Sequence, residues 1–201
     1  MATKFSEQPD LDTVASWLRD REIRTTRFPI KDTRVSKTPD FKLWRKAKLV
    51  AFCEVKSPND PWLDDMLADA SPFEIVGGAR NDPTYNRLVR LINKADRQFV
   101  EVNGARLKLN ILAYVNHDTH SDVNDLYAVL RGYIRTNSGD RIHIRIKNRA
   151  FNEAKQRIDA HIWFDAKLDR EPHIVINSSD HLRSTRTKQL LKVAPTQNIM
   201  A

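Results

Sequence analysis

The sequence predicts an α/β domain in which a mixed central β-sheet carries helices on both faces. Three observations predict it. The nearly continuous apolar run Leu49-Val50-Ala51-Phe52-Cys53-Glu54-Val55 has the character of a strand buried on both sides. Residues 84–100 repeat their apolar positions at helical spacing. Helical and extended patterns also alternate along the chain, an order that layers helices against a sheet. With 201 residues, one such domain can bury roughly 70% of the surface its unfolded chain exposes.

The elements follow in order. Leu11, Val14, Ala15, Leu18 and Ile23 keep a helical spacing, with Asp10 or Asp12 placed to cap it. Residues 24–35 mix β-branched and basic side chains and predict a partly exposed strand. Pro39 then punctuates the chain. Asp40-Phe41-Lys42-Leu43-Trp44 alternates polar and apolar like a half-buried strand, and residues 45–48 make a tight basic turn into the apolar run. Residues 40–55 therefore predict a hairpin. Residues 57–83 hold four prolines and the pair Gly77-Gly78. They are too many for an ordinary connection, so they predict a functional loop or a short helix at 62–67.

In the helix at 84–100, Tyr85, Leu88, Leu91, Ile92, Ala95 and Phe99 form the apolar stripe, while Arg87, Arg90, Lys94 and Arg97 line another side. A strand at 107–115 and a helix at 122–134 come next. Residues 141–147 alternate strictly, with Ile142, Ile144 and Ile146 on one face and Arg141, His143, Arg145 and Lys147 on the other. Two short strands, 159–164 and 173–177, precede a basic helix at 179–193. Trp17, Trp44 and Trp163 are expected mostly in the core, and Trp62 as a stacking residue.

Composition narrows the class. Cys53 is the only cysteine, so there is no internal disulfide, which suits a reducing cytoplasm. Residues 1–10 carry no apolar run, so no signal peptide is expected, and no stretch is long and apolar enough to predict a membrane span. The net charge of +8 favours a polyanionic partner. Residues 19–48 hold 11 Lys or Arg against 4 Asp or Glu, and residues 141–192 hold 12 against 6. Between these zones, Asp60, Asp64, Asp65, Asp69, Glu74 and Asp82 face only Arg80 within residues 57–82. Two basic zones around an acidic insert suggest a polarised face, although solvated edges explain the pattern equally well. The insert leaves the strand directly after Lys56 and reads as a flap hinged at Gly77-Gly78.

The residues that carry chemistry are few. Asp40 opens one strand of the hairpin, and Glu54 and Lys56 lie in the other. Residues i and i+2 of a strand share a face, so Glu54 and Lys56 project together while Val55 turns away. An ionised Glu and Lys at the end of an apolar strand are tolerated only when paired or bound to a metal, and two carboxylates repel unless a cation lies between them. Mg²⁺ suits such a place, because it takes oxygen ligands and keeps several waters. The sequence His117-Asp118-Thr119-His120 invites a metal reading, but a polar loop after a strand explains it better. Cys53 reads as a small buried hydrophobe.

Thr38-Pro39-Asp40-Phe41 followed by Phe52-Cys53-Glu54-Val55-Lys56 resembles the PD-(D/E)xK nuclease superfamily. The resemblance implies a restriction-endonuclease-like core over about 10–137, elaborated by extra strands and a basic tail over about 138–201, in one domain. It implies Mg²⁺ (or Mn²⁺) held by Asp40 and Glu54, with Lys56 serving catalysis, and hydrolysis of phosphodiester bonds in a nucleic acid, DNA in the first instance. Members often add an acid from the first helix, for which Glu7, Asp10 and Asp12 are candidates. Many also place a polar residue of the following helix beside the site, and Lys94 and Gln98, one turn apart, fit that role. Arg145 and Lys147 are candidate nucleic-acid contacts, or the solvent face of an edge strand. An endonuclease that cuts both strands would be expected to form a homodimer. A protein that keeps the fold and binds nucleic acid without turnover is the alternative.

Overall fold

The structure is a computed structural model, and it describes residues 7–29, 37–59, 70–71, 84–136, 138–144, 149–168, 170–177 and 179–193. The strands are β1 (Arg24–Arg27), β2 (Phe41–Arg45), β3 (Lys48–Lys56), β4 (Leu109–Asn116), β5 (Tyr133–Arg135), β6 (Arg141–His143), β7 (Ala160–Asp165) and β8 (His173–Ile176). The helices are α1 (Gln8–Asp20), α2 (Thr84–Asn103), α3 (Val123–Arg131), α4 (Arg149–Arg157) and α5 (His181–Leu191).

Six strands form one mixed sheet in the order β1-β2-β3-β4-β7-β8. β3, β4 and β7 run parallel at its centre, and antiparallel strands flank them on both sides. The extra strands after Ser138 divide: among the described residues β6 pairs only with β5 in a separate hairpin, while β7 and β8 complete the main sheet.

Both faces are covered. Leu11, Val14, Trp17 and Leu18 of α1 and Leu190 and Leu191 of α5 pack with Cys53, Val55, Ile111 and Ile162 on one face. On the other, Leu88, Ile92 and Phe99 of α2, Leu126 and Val129 of α3 and Phe151 of α4 meet Phe52, Leu112, Tyr114 and Trp163. β3 supplies side chains to both cores, and its residues from Ala51 to Lys56 are all buried. That is why it is apolar without alternation.

The turn between β2 and β3 carries strain. Lys46 and Ala47 have φ of 47° and 60°, the left-handed region that a two-residue hairpin turn demands at both positions. Only glycine enters that region freely. Ala47→Gly should therefore raise stability by about 0.5–1 kcal/mol, after allowing for the extra entropy of the unfolded glycine chain. Urea denaturation reads this directly, and an unchanged or lower midpoint would count against it.

Several boundaries shift from the sequence expectation. The first helix starts at Gln8 after Glu7, with neither Asp10 nor Asp12 at the cap; Asp10 sits in the first turn and is buried. Ile23 is buried beyond the helix end. The helix expected at 122–134 stops at Arg131, because Gly132 adopts φ 79° and caps it; Ile134 then belongs to β5. At its other end the Asp122 and Asp125 side chains make a reciprocal capping box. α4 has no counterpart in the sequence reading. The proposed helix at 62–67, Trp62, the Gly77-Gly78 hinge, Arg145 and Lys147 lie outside the described residues.

Candidate functional site

The site is built where β2 begins and β3 ends. Phe41 pairs with Cys53 across the antiparallel hairpin, which brings Asp40 alongside Glu54. Glu54 and Lys56 share the face of Phe52, covered by α2, while Val55 packs into the opposite core. Both charged side chains are buried, Glu54 at 3% exposure and Lys56 at 8%.

The hydrogen bonds tie these groups into one unit. The Asp40 N–H donates to Glu54 Oε2 at 3.1 Å, and the Val55 N–H donates to Asp40 Oδ2 at 2.8 Å. Lys56 Nζ donates to Glu54 Oε1 and, at 3.2 Å, to Gln98 Oε1. Gln98 in turn donates through Nε2 to the Thr38 carbonyl at 2.9 Å, linking α2 to the segment that leads into Asp40. Arg27, at the end of β1, brings Nη2 to 3.9 Å from Asp40 Oδ1.

The sequence left Lys94 and Gln98 as equal candidates, and packing separates them. Gln98 reaches the site, whereas Lys94 is exposed and makes no hydrogen bond to it among the described residues. Arg27 was not anticipated. Its only signal is a position opposite Phe41 in the β1–β2 register, which requires knowing the strand pairing.

The three helix acids also separate. Glu7 and Asp12 are exposed, and Asp12 accepts from Gln8 at 2.8 Å. Asp10 is buried, with His117 Nε2 at 3.0 and 3.1 Å from its two oxygens. The His117 N–H donates to the Pro58 carbonyl at 2.8 Å, so this pair lies at the same end of the sheet as Lys56, beneath α1. Asp118 is buried too and meets Arg87 Nη2 at 2.8 Å. The His117-to-His120 stretch is thus a loop tied to both helical layers, consistent with the loop reading.

Burial pushes the Glu54 carboxyl up to about 7, and the neighbouring Asp40 charge adds to the rise; the Lys56 ammonium and the hydrogen bonds from Lys56 and Gln98 oppose it. The Cys53 thiol is pushed well above its usual range by burial and by the charges of Asp40 and Glu54, so it stays an inert thiol.

A pH dependence follows. The ordinary carboxyl value is 4.5, so between there and about 7 the folded protein holds a proton that the unfolded chain has released. This contribution to stability is fully present below 4.5 and is lost as pH rises through about 7. Urea denaturation of metal-free protein at pH 5 and pH 8 should show the loss, and Glu54→Gln should flatten it. An unchanged slope in that variant would assign the effect elsewhere.

Among the described residues, no three His, Cys, Asp or Glu side chains are grouped to hold a metal ion. Asp40 and Glu54 offer two carboxylates on adjacent strand ends. A small hard cation needs only one or two, completing its shell with water and substrate phosphate. The charge repulsion that helps raise Glu54 is the kind a cation relieves, so the donor set fits such an ion.

Compared with protein-family models, curated proteins and solved structures, the chain matches none. No helix among the described residues is long and apolar enough to cross a membrane.

Proposed function

We propose that this chain is a metal-dependent nuclease of the PD-(D/E)xK kind that hydrolyses phosphodiester bonds in DNA. The observation that carries the reading is Glu54, buried at the end of the central strand with Asp40 N–H on one oxygen and the Lys56 ammonium on the other. A folded protein keeps so costly a pair where chemistry needs it.

Asp40 and Glu54 would hold Mg²⁺ or Mn²⁺. When bound, the metal supplies positive charge that polarises a phosphoryl oxygen and acidifies a coordinated water. Asp40 is held in place by the Val55 N–H, and Arg27 adds positive charge beside it. Lys56 is aimed by Glu54 and Gln98, so its remaining proton can orient the attacking water or stabilise charge developing on the phosphate. The attacking water gives up a proton to solvent as its oxygen bonds to phosphorus, the bond from phosphorus to the leaving sugar oxygen breaks, and that oxygen takes up a proton from solvent.

The test is cleavage of single-stranded, duplex and branched DNA and of a supercoiled plasmid, with Mg²⁺ or Mn²⁺ and with EDTA as control. Chelator-sensitive cleavage is expected. Binding without cleavage on every substrate would leave a nucleic-acid-binding protein and sink the enzymatic reading.

A further inference from the structure

The opposite end of the sheet carries a second charged surface. A groove of about 410 Å³ runs between the β2–β3 turn, the loop before β4 and α5. Arg45, Lys48, Lys108, Arg183 and Arg186 line it, and among the described residues no carboxylate does. Three separate parts of the chain thus turn cations toward one trough, over a floor that includes Val50, Leu109 and Leu190.

Two of the arginines build the trough. Arg183 is pinned on four sides. Its Nε and Nη2 donate to Asp159 at 2.6 and 2.7 Å, its Nη1 to the Arg106 carbonyl at 2.7 Å, and its Nη2 also to the Lys108 carbonyl at 2.7 Å. This locks α5 to the loop before β4. Arg45 donates to the Gln189 carbonyl at 3.2 Å and locks the β2–β3 turn to the same helix. The nearby carboxylates are already matched, Asp159 by Arg183 and Arg106, and Glu22 by Lys192 and Arg45. Lys48, Lys108 and Arg186 make no side-chain hydrogen bond or ion pair among the described residues. Within the described residues their charge is unmatched.

Lys48 opens β3 and Lys56 closes it, so the groove lies about 26 Å from the candidate site at some 3.3 Å per residue. A chain of phosphates fits a preformed trough with cations along it, because little ordering is needed on binding. A lipid surface would meet the rim of a concave groove and not its lining.

We propose that this groove is a second nucleic-acid contact, holding the phosphate backbone of a duplex segment other than the one at Asp40, Glu54 and Lys56. It rests on the reading that the chain handles DNA, but not on cleavage. The residues that would make the contact are Lys48, Lys108 and Arg186.

The experiment measures binding of a 30-bp duplex by fluorescence anisotropy in EDTA, across a salt series, for the full chain and for Lys48→Glu/Arg186→Glu. Both side chains are exposed, and Lys48→Ala/Arg186→Ala serves as a milder second pair. The reversal should weaken binding at least tenfold at low salt and lower the salt slope by about two, near 0.9 per lost phosphate contact. The alanine pair should lower the slope similarly with a smaller loss of affinity. Melting temperature should be unchanged. Unaltered affinity and slope in both pairs would overturn the proposal. So would wild-type binding to phosphatidylserine vesicles without binding to the duplex. A duplex bound through the groove but never cut would fail the nuclease reading and leave this one standing. Cleavage with no effect of either pair would do the reverse.

Discussion

Glu54→Gln is expected to lower metal-dependent DNA cleavage by about 10²–10⁴-fold, the range for losing a group that acts on the transition state. Glutamine keeps the volume of the side chain but removes the negative charge. The amide has one acceptor oxygen where the carboxylate had two, so it cannot serve both the Asp40 N–H and the Lys56 ammonium. One donor loses its partner, at a cost of about 1–3 kcal/mol. Relief of an unfavourable buried charge offsets part of that loss, so the protein should still fold. Asp40→Asn should act in the same way, and both substitutions should weaken metal binding. Lys56→Ala should abolish cleavage yet spare metal binding, since the two carboxylates remain. Single-turnover plasmid cleavage and a metal titration by calorimetry read the two effects separately. Wild-type cleavage by the Glu54→Gln protein, with contamination excluded, would end the proposed mechanism.

The largest effect on stability is expected at Asp159, far from this chemistry. Its carboxylate is 3% exposed and accepts from Arg183 Nε and Nη2 and from the Asn110 N–H at 2.7 Å. Asn110 extends the network to the Arg157 carbonyl and to Asn103, which in turn holds the Lys108 carbonyl. The same group of bonds joins β4, the chain entering β7, the C-terminal turn of α2 and α5. Asp159→Ala leaves the Arg183 guanidinium, 14% exposed, without its anion. Breaking such a pair from one side costs about 3–5 kcal/mol, which for a chain of this size lowers Tm by roughly 6–20 °C. Denaturant unfolding and calorimetry should agree on the loss. A cost below about 1 kcal/mol would mean that Arg183 finds water or another partner, and that the network is not what joins these elements.

Much of the fold was legible because the signals are local. The apolar run of β3 and the stripe of α2 depend on neighbours within a few turns or strand positions, and both elements formed where the periodicity placed them. The hairpin of β2 and β3 was legible for the same reason, since a two-residue turn leaves its strands little choice but to pair. α4 was not, because its core-facing residues are only Phe151, Ala154 and the following Ile158, too few to show a period. Gly132 could have ended α3 correctly from the sequence, as a glycine just past the last apolar position.

The candidate site divides along the same line. The sequence by itself determined that Glu54 and Lys56 project together, since strand geometry sets that at a separation of two residues, and it pointed to Asp40 as their neighbour through the hairpin. Only the tertiary structure chose Gln98 over Lys94, buried Asp10 against His117 across 107 residues of chain, and paired Asp159 with Arg183 from the next helix. These outcomes depend on how helices settle onto a sheet, where a shift of one residue or a small rotation changes which polar group is desolvated. A buried charge must then find its partner wherever the chain brings one, and spacing along the sequence does not record that distance.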